Sequence, residues 1–399
     1  MEGFDVPVNR KGTGSIKWDR AKGKFSTEKE LIPLWIADTD FVAPREAREA
    51  LIARADHGVY GYSFATADYI ESVAGWFERE YGLDVKNEWV CPTYGVVTAL
   101  YFTILALTEP GDRVMIHTPV YDPFYAIIQN TGREVADCGL IREGGTYRMD
   151  FERMEEQMKQ GVKLLILCNP HNPTGRVWRE EELARVAELC VRYGVYLASD
   201  EIHCDLALFG NPFTSMLKFK DVHSLLAVYT SPGKTFSMTG AIVSNLLIPD
   251  AQLRERIMGK LRGAWIMSPN PFGMAAAKAA YDHGREWLLE EKRCLEENSR
   301  FVSAYVRENM PEVGVTEHEG TYLMWLDFSC LGLGEDLCKT LVDECGIGAG
   351  DGIHYGESGR NFIRLNIGCA KCLLEVAMDA MKGLYTKRMA EKSAVQAEV

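Results

Sequence analysis

The sequence lacks an excess of positive charge. Lys and Arg number 44 against 57 Asp and Glu, for a net charge of −13. A phosphate backbone is held by clustered cations, so this balance argues against nucleic-acid binding and against a basic membrane-binding face. A membrane-length apolar run is also missing. The nearest candidate, Trp89 to Thr108, carries no charge over 20 residues but contains Pro92, Gly95 and four Thr. Its continuous helical part, Val96 to Leu107, covers about 18 Å at a rise of 1.5 Å per residue, well short of the roughly 30 Å of a hydrocarbon core. It reads as a buried helix. The 11 Cys form no disulfide-scaffold pattern. The single C-x-x-C, Cys369 and Cys372, has no second pair and no suitably spaced His, so no metal is expected and it reads as a turn beside a helix start. Cys168, Cys190 and Cys338 sit in apolar runs, as buried thiols of a reducing compartment do. Met1 to Asp5 offers no apolar signal core, which predicts a cytoplasmic protein. Repeats, low-complexity tracts and Gly/Ser linkers are absent. No G-x-G-x-x-G opens a helix, which argues against a nicotinamide cofactor. Gly233-Lys234-Thr235 lacks the Gly five positions earlier that a P-loop requires, since Val228 stands there.

What is present is an ordinary globular composition, 47% hydrophobic and 25% charged over 399 residues. That length predicts two to three domains at roughly 150 residues each, with enough chain to bury a sizeable core. Strand-like runs occur at Arg113–His117, Lys163–Cys168, Val195–Ser199, Leu225–Thr230 and Ala241–Ile248. Between the second and third, Leu183, Val186, Ala187 and Cys190 fall at helical spacing. Glu180, Glu181 and Glu182 occupy the first turn, where the helix dipole favours them. Strand, helix, strand predicts an α/β core with a mostly parallel sheet flanked by helices. The C-terminal part reads differently: a long helix at Glu286–Asn309, strands at Tyr322–Phe328 and Asn361–Asn366, and helices near Glu335–Cys345 and Leu373–Lys387. This mix predicts a smaller α+β domain. The expected division is a large domain over 45–285, and a small domain formed by 286–399 with the arm 1–44.

Ligands of open α/β sheets bind beyond the carboxyl ends of the strands. Lys163–Cys168 is followed by Asn169-Pro170-His171-Asn172-Pro173-Thr174-Gly175, Val195–Ser199 by Asp200-Glu201-Ile202-His203, and Leu225–Thr230 by Ser231-Pro232-Gly233-Lys234-Thr235. Each piece alone is weak: Asn-Pro-Thr-Gly is an ordinary turn and Asp200 could cap a helix. Together they suit pyridoxal 5′-phosphate, which needs a lysine for a Schiff base and an acid facing its ring nitrogen. Lys234 fits the first role and Asp200 the second. Asn172 and His203 are candidates near the phenolic oxygen, and Tyr121 for stacking on the ring. Gly95, Val96 and Val97, opening the buried helix, could hold the phosphate through backbone N–H groups, with Ser231 adding a hydroxyl. His171 reads as loop surface. Arg364, flanked by Ile363 and Leu365, calls for an anion.

These residues carry a family resemblance. The chain resembles the aminotransferase-like, fold-type I pyridoxal-phosphate enzymes, and within them the MalY/PatB group of cystathionine beta-lyases, or carbon–sulfur lyases. The resemblance runs from Asn9–Ser15 and Lys17-Trp18-Asp19 through Trp35–Phe41, Tyr60–Ser63, His117–Tyr121, Asn169–Trp178, Ser199–His203 and Lys234–Phe236 to Phe362–Asn366. It implies that Lys234 binds the cofactor and then shuttles the proton, and that Asp200 pairs with the ring nitrogen. It also implies that Tyr62 reaches the phosphate of a neighbouring subunit's cofactor in a homodimer, and that Arg364 holds the substrate α-carboxylate as a fork. The implied reaction releases a thiol, pyruvate and ammonia from cystathionine or related S-substituted cysteines. An aminotransferase with the same cofactor, and a non-catalytic binding protein, are the competing readings. The chain departs from the group at Thr39, His171 and Ser237-Met238, which bear on substrate preference. Classical aminotransferases place an Arg eight residues after the lysine; Ile242 stands there, which favours the lyase branch.

Overall fold

The computed structural model describes residues 4–266 and 269–397. Met1, Glu2 and Gly3, on which the missing signal core partly rests, lie outside the described residues. Strands are numbered in chain order: β1 (Ile32–Leu34), β2 (Val90–Thr93), β3 (Arg113–Ile116), β4 (Glu134–Asp137), β5 (Ile141–Glu143), β6 (Thr146–Arg148), β7 (Val162–Cys168), β8 (Tyr196–Asp200), β9 (Leu226–Thr230), β10 (Ser244–Leu247), β11 (Gly314–Val315), β12 (Leu323–Asp327), β13 (Ile347–Asp351) and β14 (Phe362–Asn366).

Seven strands form the large sheet in the order β2-β10-β9-β8-β7-β3-β4. All pairs are parallel except those of β10, which runs against both of its neighbours. Strands β8 and β9 are almost wholly buried and rich in apolar residues, as strands covered on both faces must be. The helix Glu180–Tyr193 returns the chain from β7 to β8. It buries Leu183, Val186, Ala187, Leu189 and Cys190. Its start is fixed by the Arg179 N–H donating to Glu182 Oε2 at 2.8 Å, and its end by Gly194 in the left-handed region (φ 64), which glycine enters without penalty. Val96–Leu107 is a helix over the residues the sequence suggests, burying Val96, Ala99, Leu100, Thr103, Ile104 and Leu107. No described helix is long and apolar enough to cross a membrane.

The second sheet has the order β1-β13-β14-β12-β11. Its edge strand β1 comes from the N-terminal part of the chain and pairs parallel to β13, so both ends of the chain build this layer. A helix from Arg285 to Asn309 leads into it and one from Lys371 to Ala397 closes it.

Several expected bounds need correction. The predicted strand Ala241–Ile248 begins only at Ser244, because Thr239–Ala241 forms a 3-10 turn and Ile242 adopts a left-handed conformation (φ 48). The predicted helix Glu335–Cys345 is a composite of a 3-10 turn, one α turn and a π segment, ending at left-handed Gly346. The last helix starts at Lys371 and runs ten residues beyond the expected Lys387, to Ala397. The Cys369–Cys372 pair does lie at this helix start, with Cys369 buried and Cys372 exposed.

Candidate active site

Register brings the candidates together. Cys168 on β7 stands beside Asp200 on β8, which stands beside Tyr229 on β9. The three parallel strands therefore end level with one another, and the segments after them open on one side of the sheet. Asp200 is the last residue of β8. Ser231 caps the short helix Pro232–Thr235 that carries Lys234: its Oγ accepts from the Gly233 N–H at 3.0 Å and donates to the Val243 carbonyl at 2.7 Å. These groups line one cavity of about 220 Å³ together with Gly95, Val96, Tyr121, Asn172 and His203.

The electrostatics of the cavity are those of an incomplete ion pair. Asp200 is buried, and the backbone N–H of Ile202 donates to its Oδ1 at 3.1 Å. No cation lies within ion-pair distance of it among the described residues. Burial pushes its carboxyl up to about 7. Lys234 is pulled the other way, to about 8, chiefly by burial and also by the Arg364 guanidinium. The Lys234 Nζ donates to the Ala37 carbonyl, which also accepts from the Tyr322 hydroxyl at 3.2 Å. Burial pushes the pKa of His203 well below the ordinary imidazole value; its Nδ1 has no hydrogen-bond partner among the described residues and its ring meets the Tyr322 ring edge-on at 5.6 Å. Tyr121 packs edge-on to Phe124, and burial raises its hydroxyl to about 12.

Gly95 has φ 151 and ψ 149 and caps the Val96–Leu107 helix without a side-chain hydrogen bond. That leaves the first-turn N–H groups beside the cavity, and such groups bind anions. A buried acid without a cation, a lysine with a lowered pKa and an uncapped helix start are together the donor and acceptor set that pyridoxal phosphate would complete. The residues present fit that group.

Arg364, from the small sheet, lines an adjoining cavity of about 1220 Å³ that shares Ala37, Tyr121, Lys234 and Ile242 with the first. It lies on the central strand β14, buried, with no carboxylate within ion-pair distance among the described residues, so it is not an edge ion pair. Its Nη1 donates to Asn172 Oδ1 at 3.0 Å, its Nη2 donates to the Trp35 carbonyl at 2.9 Å, and its Nε has no hydrogen-bond partner among the described residues. The guanidinium lies 4.9 Å from the Tyr355 ring centroid. Asn172 thus meets Arg364 across the two sheets.

One expected placement comes out differently. His171 is not loop surface: the loop after β7 folds inward, its Nε2 donates to the Pro119 carbonyl at 2.8 Å, and its ring meets Trp178 at 5.4 Å. Burial lowers its pKa to about 4. Tyr62 does not touch its own chain's cavity and stands fully in solvent, on a loop with exposed Val59, Tyr60 and Phe64.

The sequence reading missed the segment that roofs the site. Asn366, two residues beyond Arg364 and so on the same face of β14, donates through Nδ2 to the carbonyls of Ile36 (2.7 Å) and Asp38 (2.8 Å). Carbonyls 35 to 38 are therefore all held by β14, Lys234 or Tyr322. Upstream, buried Lys17 pairs with Asp40 at 2.8 Å and Arg10 bridges Asp38 (2.6 Å) and Asp40 (2.8 Å). An Asn at the end of the strand Phe362–Asn366, two residues after Arg364, was the available signal.

Residues 30–381 match the family model for aminotransferase class I and II. The chain is 37% identical to cystathionine beta-lyase PatB of Bacillus subtilis (strain 168), over 95% of this chain and 98% of that protein. It is 32% identical to protein MalY of Escherichia coli (strain K12), over 94% and 96%. Among solved structures it resembles cystalysin from Treponema denticola, which contains a pyridoxal 5′-phosphate cofactor. The TM-score is 0.93 at 30% identity, covering 97% of this chain and 98% of that one.

Proposed function

The chain belongs to the aminotransferase class I and II family, and from that premise we propose that it is a pyridoxal 5′-phosphate-dependent carbon–sulfur β-lyase acting on S-substituted cysteines such as cystathionine. The observation that carries the reading is that Asp200 and Lys234 line one cavity while Lys234 and Arg364 line the larger one adjoining it, with Arg364 bonded to Asn172 between the two sheets. The exposed Ile242, where classical aminotransferases carry an Arg, favours a lyase over the aminotransferase reading.

When bound, the cofactor supplies an electron-withdrawing ring that stabilises negative charge at the substrate α-carbon. The chain supplies the rest. Asp200, buried and without a cation, pairs with the ring nitrogen and keeps it protonated. Gly95, Val96 and Ser231 hold the phosphate, Tyr121 stacks on the ring, and Asn172 and His203 stand on its phenolic-oxygen side. Arg364 turns its guanidinium to the substrate α-carboxylate, which is oriented by that fork. Lys234 Nζ, neutral in an appreciable fraction near pH 8, removes the α-proton. The bond from the β-carbon to sulfur breaks, the sulfur leaves with the bonding pair and is protonated, and water finally yields pyruvate and ammonia. The segment 35–38 lines the larger cavity beside Lys234 and Arg364.

The working unit in this reading is a homodimer in which Tyr62 reaches the partner's cofactor phosphate. Its exposure, with Val59, Tyr60 and Phe64 beside it, supports that reading. We also read 45–285 as the cofactor-bearing domain and 1–44 with 286–399 as the domain that brings Arg364. A cytoplasmic location suits eleven unpaired cysteines.

The test is incubation of the protein and pyridoxal phosphate with cystathionine, cystine and ordinary amino acids in turn. Pyruvate and thiol are expected in equal amounts from the thioether without an added keto acid. Products that appear only when a keto acid is supplied would assign an aminotransferase instead.

A further inference from the structure

A buried carboxylate that the reaction does not use stands behind the lysine. Asp205 lies in the short 3-10 turn Cys204–Leu206, two residues after His203, and is 6% exposed. No cation lies within ion-pair distance of it among the described residues. It accepts three hydrogen bonds from neutral donors. The Trp76 indole Nε1 donates to Oδ1 at 2.9 Å, the Tyr81 hydroxyl donates to the same oxygen, and the Thr235 hydroxyl donates to Oδ2 at 2.6 Å. Burying a carboxylate without a counter-ion is costly, and a neutral residue of the same size would pack as well. The feature therefore asks for a role beyond filling space.

Thr235 is the residue after Lys234. The helix that carries the lysine, Pro232–Thr235, has four residues and cannot hold its shape by itself. It is held from outside at three points. Ser231 caps its start, the Phe236 ring packs against the Trp76 ring at 5.4 Å, and the Thr235 hydroxyl is tied to Asp205. Trp76 is itself tied to Asp205, so two of the three restraints meet on one carboxylate. Asp205 also lies in the segment that carries Asp200 and His203. It thus links the element bearing the base to the element bearing the ring-facing acid.

We propose that Asp205 and Thr235 are positioning residues for the β-elimination, fixing where Lys234 Nζ stands relative to the cofactor ring and the substrate α-carbon. This rests on the reading of Lys234 as the base. A displacement of an ångström or so at a proton-transfer step is enough to lower a rate by one to two orders of magnitude (about 10- to 100-fold).

The test compares Thr235→Val, Thr235→Ser, Asp205→Asn and the double variant Thr235→Val/Asp205→Asn, each loaded with pyridoxal phosphate. Thr235→Val and Asp205→Asn are expected to lower kcat about tenfold with KM changed less than about twofold. Thr235→Ser restores the hydroxyl and is expected to restore kcat. The double variant is expected to be no slower than the slower single one, since both cut the same bond. The visible circular dichroism of the bound cofactor, which reports how asymmetrically it is held, is expected to weaken in Thr235→Val and return in Thr235→Ser. Wild-type kcat and dichroism in Thr235→Val, or failure of Thr235→Ser to rescue, would overturn the proposal. If Asp205→Asn does not fold, the Thr235 pair decides alone. Failure of the wild-type protein to take up the cofactor or to release pyruvate would instead refute the function itself, which keeps the two outcomes apart.

Discussion

The proposed chemistry turns on the charge state of one lysine. Burial and the Arg364 guanidinium disfavour the charged amine of Lys234, while Asp38 and Asp200 favour it; burial wins, and the pKa falls to about 8. Below that value the neutral fraction grows about tenfold per pH unit, and above it the fraction saturates. Only the neutral amine attacks an aldehyde. The rate at which cofactor-free protein takes up pyridoxal phosphate, followed by the growth of visible absorption, is therefore expected to climb with pH and level off near pH 8. Arg364→Gln removes one opposing cation and is expected to move this midpoint upward. A wild-type midpoint near the ordinary lysine value of 10.5 would show that Lys234 does not stand in the environment described.

At the scale of elements, the start of the Val96–Leu107 helix is the part most sensitive to a single atom. Gly95 holds φ 151, a region closed to residues with a Cβ, although a Cβ there would meet nothing within 4 Å. The cost of Gly95→Ala is thus conformational, about 1–3 kcal/mol, and falls on the N–H groups assigned to the phosphate. Titration of the variant with pyridoxal phosphate is expected to give a Kd raised about 5- to 100-fold, with its far-ultraviolet dichroism unchanged; an unaltered Kd would remove this helix start from the phosphate site. This helix was legible in the sequence because it is an uncharged apolar run that begins after Gly95 and is too short to cross a membrane. Strands β7, β8 and β9 were legible as apolar runs of the right length, and the residues after them carried the chemistry. Strands β1, β4 and β13 were not: Ile32–Leu34 is short and contains Pro, Glu134–Asp137 is short and charged at both ends, and Ile347–Asp351 carries two Gly; their strand character comes from pairing with other segments. The inward turn of His171 depends on contacts with Pro119 and Trp178, which no local pattern encodes. The roof over the site escaped for the same reason: carbonyls 35 to 38 are held by side chains more than 190 positions away.

For the whole molecule, the decisive question is whether one chain suffices. The two adjoining cavities hold Lys234, Asp200 and Arg364 of a single chain, yet Tyr62 points away from both into solvent. If Tyr62 completes the partner's site, a Lys234→Ala chain and a Tyr62→Ala chain are defective in different ways. The first lacks its base but still lends an intact Tyr62. The second keeps Lys234 but cannot serve its neighbour. In a mixed dimer, the cavity of the Tyr62→Ala chain has its own Lys234 and receives the other chain's Tyr62, so one cavity in two is native. Random pairing of equal amounts makes about half of the dimers mixed, and so about a quarter of all cavities native. Refolding or co-expressing the two variants together is therefore expected to give about 25% of wild-type pyruvate release, measured against each variant alone. Activity no greater than the average of the separate variants would mean that each chain builds its cavity unaided.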